Sequence, residues 1–295
     1  MGPTASGKTA LAVELALRFG AEIVSADSRQ VYRGMAVGTA QPDAAQLRAV
    51  RHHLVGFLEP EQRYSAARFV RDAAAALDQA AARGRRAIVT GGTGFYLRAL
   101  SGEMTLAGVS ADELLRARLR EESRIHSQAT LHAWLAALDP RRATAIASGD
   151  RYRTLRALEV VLARGGTPPP ALPTLVSRGT RMLKFALMLD RAELSRRIRA
   201  RTQAMIERGL LDEAQALEER DAPAADAVGY PQASAYLRGL CTRAELEETL
   251  ARATRRYAKR QMTWLRGEPA LRWVVSGAGA FSEIERWARE SLGWT

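Results

Sequence analysis

Apolar residues recur along the chain with two periods that alternate over its first hundred positions. Leu11, Leu15 and Phe19 lie at spacings of four, one face of a helix over 10–19, and Gly20 ends it. "AEIVSAD" follows as a short buried strand that delivers Asp27 and Ser28 at its carboxyl end, where open α/β sheets place their sites. Residues 65–83, "SAARFVRDAAAALDQAAAR", read as a helix closed by Gly84, and "RRAIVT" as a second strand leaving through the glycine-rich turn "GGTGFY". Strand, helix, strand in this order predicts a parallel sheet with right-handed crossovers. From about Ser110 the strands stop. "ADELLRARLREES", "ATLHAWLAAL" and "DRYRTLRALEVVLAR" are amphipathic helices, an all-helical insertion that closes in the stiff connector "GGTPPPALP" at 165–173. The α/β pattern resumes with a strand, "LKFALML", and the helix "RAELSRRIRARTQAMIERG". Beyond them lie "DAVGYPQ", a long basic helix from about Thr242 to Arg266, a strand "LRWVV" and a last helix.

Composition narrows the function classes. No apolar run reaches the roughly 18 to 20 residues of a membrane span, and no signal peptide is visible, so no membrane partner is expected. Cys241 is the only cysteine, which excludes an intramolecular disulfide and an all-cysteine zinc cluster and fits a reducing cytoplasm. The net charge of +12 favours polyanionic partners, nucleic acid first. Arginine carries that charge: Lys8, Lys184 and Lys259 are the only lysines among 44 basic residues.

So scarce a residue makes Lys8 informative. Gly2-x-x-x-x-Gly7-Lys8-Thr9 spells a P-loop, in which backbone amides wrap a di- or triphosphate, the lysine contacts the outer phosphate and the hydroxyl holds Mg²⁺. The helix that follows points its N-terminus at the anion. A P-loop-type parallel sheet flanked by helices, α/β in class, with a small helical insertion domain is therefore expected, divided as 1–108, 109–176 and 177–295. Asp27 at a strand end reads two ways from the residues alone, as a metal ligand or as a general base. On the basic helix Arg252, Arg255, Arg256, Lys259, Thr263 and Arg266 share one face, with Ala251, Ala258, Met262 and Leu265 on another. The adjacent His52 and His53 project differently and no acidic or cysteine cluster joins them, so structural or substrate-lining roles are expected rather than zinc.

Taken in order, "GPTASGKT", "SADSRQVYRGMAVGTAQP", "RHHL", "YSAARF", "GGTGFY", "RYRTLRALEV", "DAVGY" and "YAKRQMTWLR" resemble the tRNA dimethylallyltransferase (isopentenyltransferase) family from Gly2 to about Arg266. The resemblance implies transfer of a dimethylallyl group from dimethylallyl diphosphate to the N6 amine of the adenine just 3′ of a tRNA anticodon. It also implies that the P-loop grips the leaving diphosphate, and that the anticodon arm lies across core and insertion. By this match Asp27 is the catalytic base, with Lys8, Thr9 and Arg197 assisting departure of the diphosphate and Thr9 holding Mg²⁺. Gly2, Pro3, Thr4, Ala5, Ser6, Gly7 and Arg201 complete the diphosphate site; of the two arginines, Arg197 is the better candidate.

Family stretches that touch tRNA match Asp27, Ser28, Arg29, Gln30, Thr93 and Arg116, then Tyr152, Arg153, Thr154, Leu155 and Arg156. Further matches are Ala225, Asp226, Ala227, Val228, Gly229 and Tyr230, with Lys259, Arg260, Gln261, Met262, Thr263, Trp264, Leu265 and Arg266. Two departures stand out. The family commonly has an acidic residue where this chain has "VGF" at 55–57, and its P-loop follows a hydrophobic strand where only Met1 precedes Gly2. The second implies a late-assigned or shortened start, and a sheet without a central member if the strand is absent. A cytoplasmic monomer is expected. The runner-up reading is a P-loop kinase that uses ATP on a small molecule, and a third is a nucleic-acid-binding protein with a vestigial P-loop; neither uses all the motifs.

Overall fold

A computed structural model describes residues 1–104, 106, 113–164 and 171–295. Helix α1 (Lys8–Phe19) rises directly from the N-terminal loop, with Gly7 at φ 88° as its N-cap and left-handed Gly20 as its C-cap. β1 (Ala21–Ser25) is buried throughout and pairs in parallel with β2 (His52–His53) and β3 (Arg86–Thr90), Ile23 lying opposite both His52 and Ile88. The two histidines thus form a short strand that sequence periodicity did not reveal. His53 Nε2 lies 2.6 Å from Glu22 Oε2, and Arg83 grips the same carboxylate through two bonds of 2.7 and 2.8 Å, so the buried acid of β1 is neutralised locally.

Helices α2 (Ala44–Ala49), α3 (Ala66–Ala82) and α4 (Gly94–Ser101) accompany this sheet. The alanines of α3 bring its backbone close to the strands, with Phe69, Val70, Ala73 and Ala80 fully enclosed. A second parallel pair joins β4 (Lys184–Met188) to β5 (Leu271–Val275). β3 and β4 do not pair. A groove of about 400 Å³ lies between them, lined by Leu15, Ile88, Leu100, Phe185, Leu187 and Trp294 among others. Met1 alone carries the backbone of the loop alongside β4: its ammonium donates to the Phe185 carbonyl and its carbonyl accepts from the Leu187 amide at 3.0 Å.

The chain divides into two compact units, 1–104 with 173–295, and 105–172. The boundary expected at 108/109, and most of the connector expected at 165–173, lie outside the described residues. The second unit packs α5 (Glu113–Ile125), α6 (Gln128–Leu138), α7 (Pro140–Ala145) and α8 (Arg151–Arg164) around Leu119, Leu131, Leu135 and Leu158. Ser127 and Asp139 cap the N-termini of α6 and α7 by accepting from the Thr130 and Arg142 amides, which fixes where each helix starts.

In the first unit, α9 (Arg191–Glu207) and α10 (Leu210–Glu219) part at left-handed Gly209. A 3₁₀ turn (Pro223–Asp226), α11 (Tyr230–Leu237), α12 (Arg243–Arg266) and α13 (Gly279–Leu292) complete it. α12 opens on a reciprocal capping box between Thr242 and Glu245. Its inner residues Leu246 and Leu250 join Val31, Met35, Leu58, Leu210 and Tyr230 in one apolar core under the loop that follows Asp27.

Candidate active site

Backbone groups build the first wall. Gly2, Ala5 and Gly7 adopt positive φ, curling the loop ahead of the start of α1. Lys8 Nζ donates to the Pro3 carbonyl at 2.7 Å and ties the loop across its mouth. Ser276 Oγ donates to the Ser6 carbonyl at 2.8 Å from outside. Among the described residues Ser6 Oγ, buried in the loop, has no hydrogen-bond partner.

The loop opens on a cavity of about 320 Å³ lined by Lys8, Thr9, Asp27, Arg29, Arg201 and Tyr257, among others. Asp27 sits just past β1. Its Oδ1 accepts from the amides of Arg29 (2.9 Å) and Gln30 (3.3 Å), an Asx turn that fixes the carboxylate toward the cavity. Burial lowers the Lys8 ammonium from its ordinary range to about 8; Asp27 opposes this and Arg201 adds to it. Burial likewise pulls the Arg201 guanidinium below its ordinary value against the attraction of Asp27. Two desolvated cations and one carboxylate around a cavity are a site that gains by receiving a polyanion.

The two candidate arginines take different places. Arg201 lines the cavity; Arg197 lies beside Gly7 at the rim, its Nε donating to Glu193 at 2.6 Å. The glycine turn is constrained by close approach: a Cβ at Gly91 would overlap the Ala26 carbonyl, at Gly92 the Gln261 amide and at Gly94 the Trp264 ring. Thr93 Oγ1 accepts from the Ser28 amide at 3.0 Å, so its hydroxyl joins the turn to the segment after Asp27.

Candidates for RNA contact separate by exposure. Arg29 pairs with Asp226 at 2.6 Å, and both line the cavity with Gln30, Ala227, Val228 and Arg260. Lys259, Arg260, Thr263 and Arg266 are exposed along α12, as are Arg252 and Arg256, while Arg255 is held by Glu248 at 2.8 Å. Leu265 and Gln261 are buried, Met262 is half-buried, and Trp264 lies under the Arg98 guanidinium, 4.4 Å from its ring centroid. Tyr230 is fully interior and donates to Glu213 at 3.0 Å, with Ala225 packed against the same core and Gly229 turning the chain at φ 119°. In the second unit Tyr152 and Arg153 are exposed, whereas Thr154 and Leu155 face the helical core and Arg116 and Arg156 both hold the buried Glu159. Tyr230, Thr154 and Leu265 are therefore buried, and Leu155 is half-buried against the helical core.

Sequence reasoning missed Thr254 and Tyr257. Both line the cavity, and burial pushes the Tyr257 phenol upward while it hydrogen-bonds Thr93. The signal was present: Leu250, Thr254, Tyr257 and Gln261 recur at helical spacing on the face opposite the cations.

The IPP transferase family model matches residues 30–268. A tRNA dimethylallyltransferase of Anaeromyxobacter sp. (strain K) is 49% identical over 93% of this chain and 91% of its own. One from Geobacter sulfurreducens is 40% identical over 99% and 95%. The crystal structure of a tRNA isopentenylpyrophosphate transferase from Bacillus halodurans superposes with a TM-score of 0.71 at 35% identity, covering 99% of this chain and 95% of that one. Loop, cavity and match agree: this chain belongs to the IPP transferase family, and its curated relatives are tRNA-modifying prenyltransferases.

Proposed function

We propose that this chain transfers the dimethylallyl group of dimethylallyl diphosphate to the N6 amine of the adenine 3′ of a tRNA anticodon, releasing diphosphate. The observation that carries this reading is the single cavity wall shared by the Lys8 loop and the Asp27 carboxylate, leaving-group cradle and base facing one space. The N6 nitrogen forms a bond to C1 of the allyl group as the C1–O bond breaks. The bonding pair leaves with diphosphate, and the N6 proton passes to Asp27. An adenine amine is a weak nucleophile because its lone pair is delocalised, so proton removal lowers the barrier. Lys8, Arg201 and the loop amides stabilise the charge that grows on the leaving oxygen.

Mg²⁺ fits this cavity: Thr9 would supply a hydroxyl, a hard oxygen ligand, beside the space that receives the diphosphate. Among the described residues no group of three or more His, Cys, Asp or Glu forms a cage. Such an ion would be held mainly by the phosphate groups, where it would neutralise developing charge. Among the described residues no helix is long and apolar enough to cross a membrane.

Incubating the protein with dimethylallyl diphosphate, Mg²⁺ and unmodified tRNA should yield prenylated tRNA without ATP. Steady ATP consumption with no prenyl-tRNA would favour the kinase reading instead. The Lys8 value sets the pH dependence. Its pKa near 8 in the free protein must rise once diphosphate is bound, so donor affinity is greatest below pH 8 and falls above it. Donor KM should therefore climb by up to roughly tenfold per pH unit above about 8, and Lys8→Arg, which stays charged, should flatten the profile. An unchanged slope in Lys8→Arg would dismiss Lys8 as the titrating group.

The exposed face of α12 is read as the phosphate-binding surface for tRNA. Lys259→Ala and Arg266→Ala should each weaken tRNA binding and reduce the log–log salt slope by roughly 0.7 to 0.9. Arg255→Ala should change it less, because Glu248 already occupies that guanidinium. Salt titrations with equal slopes for wild type and all three variants would remove this helix face from the interface.

A further inference from the structure

α12 has a second face with different partners. Gln261 is only 7% exposed. Its Oε1 accepts from the Thr4 amide of the phosphate loop at 2.8 Å, and its Nε2 donates to the Gly92 carbonyl of the glycine turn at 2.9 Å. One side-chain amide thereby satisfies a backbone donor and a backbone acceptor on two segments far apart in sequence, groups that would otherwise need water or a costly orphan state. Three residues on, the Trp264 ring covers Gly94 so closely that a Cβ there would overlap it. Arg98 stacks on that ring and bonds the buried Glu268 just past the end of the helix at 3.0 Å. The inner seam of α12 is thus fixed in register against the turn, and Gln261 is its link to the loop.

We propose that Gln261 is a positioning residue: it holds the diphosphate loop and the Thr93 turn at a set separation and orients the Thr4 peptide, and it does not contact RNA. The proposal rests on the prenyl-transfer reading for what the loop binds. Each polar atom of the amide already bonds backbone and the residue is almost wholly covered, which leaves it little with which to read a base. Gln261 shares a helix with the exposed Lys259 and Arg266, so the same helix presents phosphate contacts outward and sets loop geometry inward.

Two variants test this. Gln261→Met keeps the length of the side chain and loses both bonds; Gln261→Glu keeps an acceptor for Thr4 but sets a carboxylate oxygen against the Gly92 carbonyl. Once protonated, the new acid can again accept from Thr4 and donate to Gly92. The measurements are calorimetric binding of inorganic diphosphate to the free protein and binding of a tRNA anticodon arm at fixed salt. Gln261→Met should bind diphosphate about tenfold more weakly, with donor KM raised in proportion and anticodon-arm affinity within about twofold. Gln261→Glu should be weak near pH 8 and, relative to wild type at the same pH, recover as pH falls toward about 5.5. Normal RNA binding in the variants verifies that they fold. Wild-type-like diphosphate binding in Gln261→Met, or weakened RNA binding with diphosphate binding unchanged, would overturn the proposal. A wild type that binds no diphosphate would overturn the prenyl-transfer reading along with it.

Discussion

Asp27→Asn should form prenyl-tRNA more slowly by on the order of 10²- to 10⁴-fold, with tRNA affinity changed by no more than a few-fold. The substituted amide keeps the acceptor oxygen that the Arg29 and Gln30 amides use, so the Asx turn and the cavity wall survive. What it loses is the capacity to take a proton. The loss should lie in single-turnover rate at saturating donor rather than in KM, since the carboxylate acts on the amine as the bond forms. A single-turnover rate within tenfold of wild type would show that Asp27 is not the base.

The second large effect is expected at the desolvated cations. Lys8→Ala and Arg201→Ala should each lower kcat/KM for dimethylallyl diphosphate by about 10²- to 10³-fold, the scale of a lost charge stabiliser in a water-poor site. Lys8→Ala also removes the bond from Nζ to the Pro3 carbonyl and loosens the loop, so it should be the more damaging of the two. Arg197→Ala should cost less, because that side chain is shared with Glu193 at the rim. Equal losses for Arg197 and Arg201, or weakened tRNA binding in Lys8→Ala, would contradict this division of labour.

Backbone-level features were legible in the sequence. The P-loop spacing, sharpened by a lysine in a chain with only three, places α1 and the turn before it, and the run "AEIVSAD" places Asp27 at a strand end. β2 was not legible because two residues carry no period; it exists through pairing with β1 and the neutralised Glu22. Choosing between Arg197 and Arg201 required the third dimension, since they lie one helical turn apart and only one is turned into the cavity. That Tyr230 and Thr154 are buried was not legible, because a stretch matched as a whole does not say which of its side chains face inward. On α12 the cationic stripe drew attention from Thr254 and Tyr257, and the family match read Gln261 as an RNA contact; the inward side of this seam depends on which loops arrive beside it.

The central claim is that the cavity cleaves the carbon–oxygen bond of a prenyl diphosphate and delivers the carbon to RNA. The direct measurement is a double-label experiment, with dimethylallyl diphosphate carrying one isotope in the allyl carbon and another in phosphorus, mixed with unmodified tRNA. The account predicts carbon label in the tRNA, at the adenine 3′ of the anticodon, and all phosphorus label released as diphosphate in equal amount. Phosphorus label in the RNA, or labelled tRNA in full yield from the Asp27→Asn, Lys8→Ala double variant, would contradict it.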